Sequence, residues 1–266
     1  MKRGVNVEMY EIKVPISAIR ALSNEQRYAY YLLGHMFNEL MFLQKLAGFS
    51  VSTMTRHSDK RPSRTNPEQA QALFLFRIAS AKVWEAVKSI RSDVVRQVLC
   101  GDIFPCMIDG ESRLKALNVA INSAQWLPAI RNGIGFHYPA FDRWEDFVTP
   151  GDDWVDDSVF LSSRSGNVFY DGSDAIVKHW MFRQKSSKMP TDGIAPLIDD
   201  MIHLLTETTN FLQEVLGVFL EHLLLEGNGQ GKAKKVGKVK APAYQEVTIP
   251  FWIGMPASER DSLDLA

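Results

Sequence analysis

Residues 194–226 read IAPLIDDMIHLLTETTNFLQEVLGVFLEHLLLE, and this stretch decides the fold class. Its apolar residues Leu197, Met201, Leu204, Leu205, Phe211, Leu212, Val215, Leu216, Phe219 and Leu223 recur at helical spacing, with one turn skipped between Leu205 and Phe211. That spacing lines one face of an α-helix. Gly227-Asn-Gly-Gln-Gly231 then ends the run.

The same period governs the chain upstream. Residues 24–47 read as a helix, with Leu33, Met36, Phe37, Leu40 and Leu43 on one side. Ser23 and Gln26 form a capping box at its start. Val51–Thr65 is polar and reads as an exposed loop. A longer helix is expected from Asn66-Pro67, where Asn caps and Pro suits the first turn, to about Leu99. Its stripe is Phe76, Val83, Val87, Ile90 and Val94. Glu111–Gln125 reads as a third helix. Pro128–His137 is a three-turn element bracketed by Pro128 and Pro139. Phe141–Asp157 is acidic and rich in turn formers. Ser158–Ser162 and Asn167–Tyr170, across Ser165-Gly166, read as a hairpin placed near 158–171. A short helix is expected over Ser173–Arg183. These elements define a mainly α chain, an irregular helical bundle with a small hairpin before the last long helix. The helical domain spans 1–226. Residues 227–266 read as a basic flexible linker followed by a compact apolar segment, Val247–Met255, able to dock on the body.

Composition sets the outer limits. With 266 residues and 45% of them apolar, the chain makes one large domain, or one with appendages, and is not disordered. Apolar runs such as Ala72–Phe76 and Val215–Leu220 fall far short of the ~18 residues that span a bilayer. Met1–Glu8 lacks the apolar core of a secretory signal. Two cysteines, Cys100 and Cys106, cannot build a disulfide framework. A cytoplasmic protein without a membrane partner is the expectation. Net charge is −1, but residues 1–133 hold 18 Lys and Arg against 11 Asp and Glu, and residues 134–266 hold 12 against 20. The halves therefore carry +7 and −8, which is compatible with a basic face for a polyanion.

Most chemical signatures are missing from the sequence. No Gly-rich phosphate loop follows a strand, the six histidines form no compact ligand pattern, and no serine sits in a Gly-x-Ser-x-Gly elbow. No metal or cofactor is expected. One segment stands apart: Ala129-Ile130-Arg131-Asn132-Gly133-Ile134-Gly135-Phe136-His137-Tyr138-Pro139. Gly133 and Gly135 each cost a helix about 1 kcal/mol relative to Ala, so something other than helix stability places them there. Close approach of another backbone, of nucleic acid or of a second copy, is the expected use. An alternative use of the segment is structural: His137 at the edge of a core, and Arg131 paired with an acid from 142–157.

Arg131, Asn132 and a His five residues further on resemble the signature of the HEPN superfamily, helical domains that include ribonucleases of toxin–antitoxin and abortive-infection systems. The resemblance implies a metal-independent endoribonuclease in which the RNA's own 2′-hydroxyl attacks the adjacent phosphate. It implies His137 as general base or acid, Arg131 as the group stabilising the phosphorane charge, and Asn132 as the group orienting either. An acid on an earlier helix facing the motif would be Glu85, whose bland alternative is a pair with Lys82 or Lys88. RNA contacts are expected at Tyr138 and at Lys232, Lys234, Lys235, Lys238 and Lys240, five positive charges without an intervening acid. At ~100° per residue, positions 131 and 137 point roughly 120° apart on a regular helix. In the family this is resolved by dimerisation, so a homodimer with a composite site is expected; an antitoxin or other protein is a further expected partner. The reading from a different class is a non-catalytic module binding a nucleotide, RNA or protein.

Overall fold

The computed structural model describes residues 4–56, 61–136, 138, 140–145, 148, 156–162, 167–185, 195–225 and 233–253. The protein is a mainly helical bundle with a hairpin before its last long helix. In chain order the elements are β1 (Val5–Glu11), α1 (Ile16–Ala21), α2 (Asn24–Arg56), α3 (Pro62–Ile90), α4 (Asp93–Val98) and α5 (Gly110–Ser123). They continue with α6 (Trp126–Ile130), α7 (Phe141–Trp144), β2 (Val159–Leu161), β3 (Val168–Tyr170), α8 (Asp171–Lys185), α9 (Ala195–Val218) and β4 (Lys234–Ala241). Three helices run on into π-helical turns, at Leu99–Ile103, Arg131–Gly135 and Phe219–Leu224.

Helices α2, α3 and α9 form the centre of the bundle. Leu33, Leu40, Val83, Ile90, Leu212, Val215 and Phe219 are wholly buried among them. Burying one such side chain contributes about 1.5–3 kcal/mol, which is why the periodic stripes face inward. The capping box at the start of α2 is formed: Ser23 N–H donates to Gln26 Oε1 at 2.9 Å, and Gln26 N–H donates to Ser23 Oγ at 3.1 Å. No helix among the described residues is long and apolar enough to cross a membrane.

Several boundaries differ from the expected ones. Most of the polar stretch 51–65 is helical, because α2 runs to Arg56 and α3 begins at Pro62. Pro67 therefore lies inside α3 and cannot donate to the Ser63 carbonyl four residues earlier. That carbonyl accepts the Trp252 Nε1–H instead, at 2.9 Å. Asn66 is not a cap; its amide donates to both carboxylate oxygens of Asp171 at 2.9 Å and ties α3 to the start of α8. Long helix α3 stops at Ile90 rather than Leu99, since Arg91 and Ser92 close a turn before α4 begins at Asp93. The element expected from Pro128 is not separate either: α6 starts at Trp126 and passes into the π turn, which ends at Gly135.

The largest correction concerns the two ends of the chain. Lys234–Ala241, expected as a flexible basic linker, is a strand paired antiparallel with β1, a strand the helical reading missed. Register explains the lysines. Glu8 stands opposite Lys238 and also pairs with Lys235, while Glu11 stands opposite Lys234. The acids that offset the lysine run thus come from the other end of the chain. Lys235 holds the Glu8 carboxyl below its ordinary range. The ribbon is exposed on both faces, and its lysines suit an edge that must not pair further. Lys232 lies outside the described residues.

Residues 244–253 are docked on the body. Ile249 N–H donates to Thr53 Oγ1 at 2.8 Å, and Gln71 Nε2 donates to the Ile249 carbonyl at 2.6 Å. Asn167 binds both the N–H and the carbonyl of Ile253, and the Phe251 ring meets Phe169 edge-on at 5.6 Å. The C-terminal segment therefore bridges α3 and the hairpin β2–β3.

Candidate active site around Arg131

The motif is positioned by what its glycines exclude. Gly133 and Gly135 are buried in the π turn that extends α6. A Cβ built at Gly133 falls 2.7 Å from Trp180 Cζ2 on α8. One built at Gly135 falls 2.9 Å from the Ala81 Cβ on α3. The turn therefore threads between α3 and α8, flush with each at one glycine. Both glycines serve contacts within the chain, which corrects the expectation that they leave room for nucleic acid or a second copy. π-helical turns recur at functional sites, though two others occur here.

Seating Gly135 against Ala81 places Arg131 against the next turn of α3. There Arg131 Nη2 lies 2.8 Å from Glu85 Oε1. Arg131 Nη1–H donates to Asn132 Oδ1 at 2.7 Å, and the guanidinium carbon lies 5.9 Å from the Phe136 ring centre. The guanidinium is held on three sides while 28% of the side chain remains exposed; Glu85 retains 35%. Arg131 Nε and Glu85 Oε1 are both buried without a hydrogen-bond partner among the described residues, so the contact between the two side chains is an ion pair without hydrogen-bond alignment. The arginine is thus oriented yet reachable, the condition for recruiting its planar fork to an oxyanion.

The structure brings together Arg131, Asn132 and Glu85. Glu85 takes Arg131 rather than Lys82, whose ammonium binds Glu39 on α2 at 2.9 Å. Among the described residues Arg131 pairs with Glu85 and with no acid of the acidic segment. His137 and its position relative to this group lie outside the described residues. Tyr138 is fully exposed. Lys234, Lys235, Lys238 and Lys240 sit on the terminal ribbon, on elements distinct from α3, α6 and α8 that frame the motif.

A half-buried pair on α3 and α8 carries no signal in the sequence. Arg77, two turns before Glu85 on the same face of α3, lies over the Phe74 ring at 5.4 Å. Burial lowers the tendency of its guanidinium to hold a proton, and Asp174 on α8 opposes that effect. Burial raises the Asp174 carboxyl in turn, with Arg77 and Lys178 opposing. Both directions say that desolvation outweighs the attraction between the two. Trp180, Arg77 and Asp174 carry no motif. The only hint in the sequence was the unexplained glycine pair, which announces a close approach without naming what approaches. Among the described residues no three His, Cys, Asp or Glu side chains come together as a metal-ligand set.

Compared with protein-family models, with curated proteins and with solved structures, the chain matches none.

Proposed function

We propose that this chain is a metal-independent endoribonuclease acting as a homodimer. The observation that supports the reading is Arg131, held between Glu85 and Asn132 with an open side. This is the arrangement the motif resemblance implies, with the acid on the earlier helix. In the reaction the 2′-hydroxyl of RNA loses its proton to a base and attacks the neighbouring phosphorus; the P–O5′ bond breaks and the leaving 5′-oxygen takes a proton. The products are a 2′,3′-cyclic phosphate and a 5′-hydroxyl. His137 serves as base or acid, since an imidazole changes charge near neutral pH. Arg131 meets the extra negative charge on the phosphorane. Glu85 is a positioning residue that fixes the fork. The β4 lysines add non-specific phosphate contacts, weakened by the share of their charge that Glu8 and Glu11 offset.

The test is incubation of purified protein with mixed RNA in EDTA, beside His137→Ala. Cleavage that persists in EDTA and disappears in the variant is the expected result, with cyclic phosphate at the new 3′ ends. Loss of cleavage in EDTA, or full activity in the variant, overturns the mechanism. One observation favours the non-catalytic module: both Nη groups of Arg131 are already engaged in the resting chain. That reading expects RNA or nucleotide binding without cleavage in the same assay.

The dimer is carried by α2. Tyr28, Tyr31, Phe42 and Leu46 are 53%, 55%, 64% and 40% exposed. With His35 and Glu39, which pair at 3.7 Å, they fall at steps of three and four along one face. The stripe is self-complementary about position 37. An antiparallel second copy sets Tyr28 near Leu46, Tyr31 near Phe42 and His35 near Glu39. Such isologous pairing is the commonest assembly. The stripe borders the motif, since Lys82, which holds Glu39, precedes Glu85 by one turn on α3. Tyr31→Glu with Phe42→Glu is expected to convert a dimer to a monomer by light scattering and to lower cleavage with it. A wild-type chain that is monomeric while it cleaves defeats the composite site.

A further inference from the structure

We propose that a cavity between the end of α3, α4 and the outer face of α5 binds a small organic phosphate. It is a half-open surface cleft of about 640 Å³, with Arg96, Glu111, Lys115 and Asn122 exposed, and it shares no residue with the Arg131 site, so the inference stands whether or not the chain cuts RNA. Ligand sites of about 300–1,000 Å³ take molecules larger than a bare ion.

The lining is an array of donors. Arg91, at the C-terminus of α3, donates through Nε to Asn118 Oδ1 at 2.7 Å and through Nη2 to Asn122 Oδ1 at 3.1 Å. A guanidinium only donates, so both amides must turn oxygen toward it and leave their NH2 groups for something else. Neither NH2 has an acceptor among the described residues. Asn118 and Asn122 share a face of α5 with Lys115 and Glu111, at steps of four, three and four. Arg96 lines the opposite side from α4. Among the described residues neither Arg96 nor Lys115 has an ion-pair partner.

Three cations against the single carboxylate of Glu111 leave the lining at +2. A phosphate monoester carries about −1.5 to −2 at neutral pH and offers acceptor oxygens only, which matches both the charge and the donor set. Phe104 and Leu114 supply apolar wall beside the cations, where the organic part rests. A neutral ligand would leave two cations and two amides unanswered.

The test is titration calorimetry of the full chain with phenyl phosphate, inorganic phosphate and phenol at fixed ionic strength. Saturable binding of phenyl phosphate, tighter than phosphate and absent for phenol, is expected. Arg96→Ala and Lys115→Ala should each weaken it about tenfold, as the loss of a charged hydrogen bond does. Asn118→Asp keeps an oxygen for Arg91 but replaces the NH2 donor with a second negative oxygen. It should abolish binding while thermal unfolding stays near wild type. A flat phenyl phosphate isotherm, unchanged affinity in Asn118→Asp, or equal binding of phenol overturns the proposal. So does binding of an RNA oligonucleotide through these residues without any of phenyl phosphate.

Discussion

Arg131→Ala should lower RNA cleavage by about 10²–10³-fold while leaving the fold nearly intact. The activity estimate is the usual cost of deleting one preorganised donor to a transition-state charge. The stability estimate follows from geometry: the Arg131–Glu85 pair is about a third exposed on each side, and such pairs contribute about 0–1 kcal/mol. Arg131→Lys should recover little, because an ammonium cannot span Glu85, Asn132 and two phosphate oxygens in one plane. Glu85→Gln is the informative partner. It keeps an acceptor for the guanidinium but removes the charge that orients it. If Glu85 only positions Arg131, the variant keeps the wild-type pH profile and loses activity chiefly in kcat, by less than Arg131→Ala does. Initial rates on a labelled oligonucleotide across pH, alongside thermal unfolding of each variant, decide the matter. Cleavage that survives Arg131→Ala, or that falls only in proportion to unfolded protein, reduces the pair to a structural bridge and removes the main support for the nuclease reading.

Gly133→Ala should destabilise the protein, although alanine is the better helix former by about 1 kcal/mol. The new methyl carbon would clash with the Trp180 ring, and Trp180 is buried and cannot swing clear. Overpacking of this kind costs about 1–3 kcal/mol. At about 2–4 °C per kcal/mol for a domain approaching this size, the melting temperature should fall visibly. Gly34→Ala and Gly217→Ala provide the contrast, because a Cβ at either position meets nothing within 4 Å. Both should be neutral or stabilising. Trp180→Phe removes the ring edge that Gly133 faces, so adding it to Gly133→Ala should recover part of the loss, a non-additivity that calorimetry of the four variants measures. A Gly133→Ala protein as stable as wild type would mean that the turn does not pack against α8. The seating of Arg131 beside Glu85 would then lose its cause. Gly135→Ala, pressed against Ala81 and the Ile130 carbonyl, should behave like Gly133→Ala and additionally disturb the Glu85 contact.

The helical bundle was legible because its signal is summed over many residues: ten apolar positions in 194–226 keep one period, and no local accident outweighs that. The capping box at Ser23 and the hairpin strands flanking Ser165-Gly166 were legible for a related reason, since their partners lie within a few residues in the chain. What the sequence alone left undecided depends on contacts between distant segments. Nothing local to Lys234–Ala241 distinguishes a solvated linker from a strand; the offsetting carboxylates of Glu8 and Glu11 lie more than 220 residues away. Pro67 reads as a helix start until Trp252 supplies the hydrogen bond that lets the helix continue around it. Gly133 and Gly135 announced a close approach, and only the packing showed that Trp180 and Ala81 make it. Arg131 was recognisable as a candidate from its neighbours in sequence. Its orientation was decided elsewhere, by a carboxylate on α3 that shares a helical face with the methyl group against which Gly135 rests.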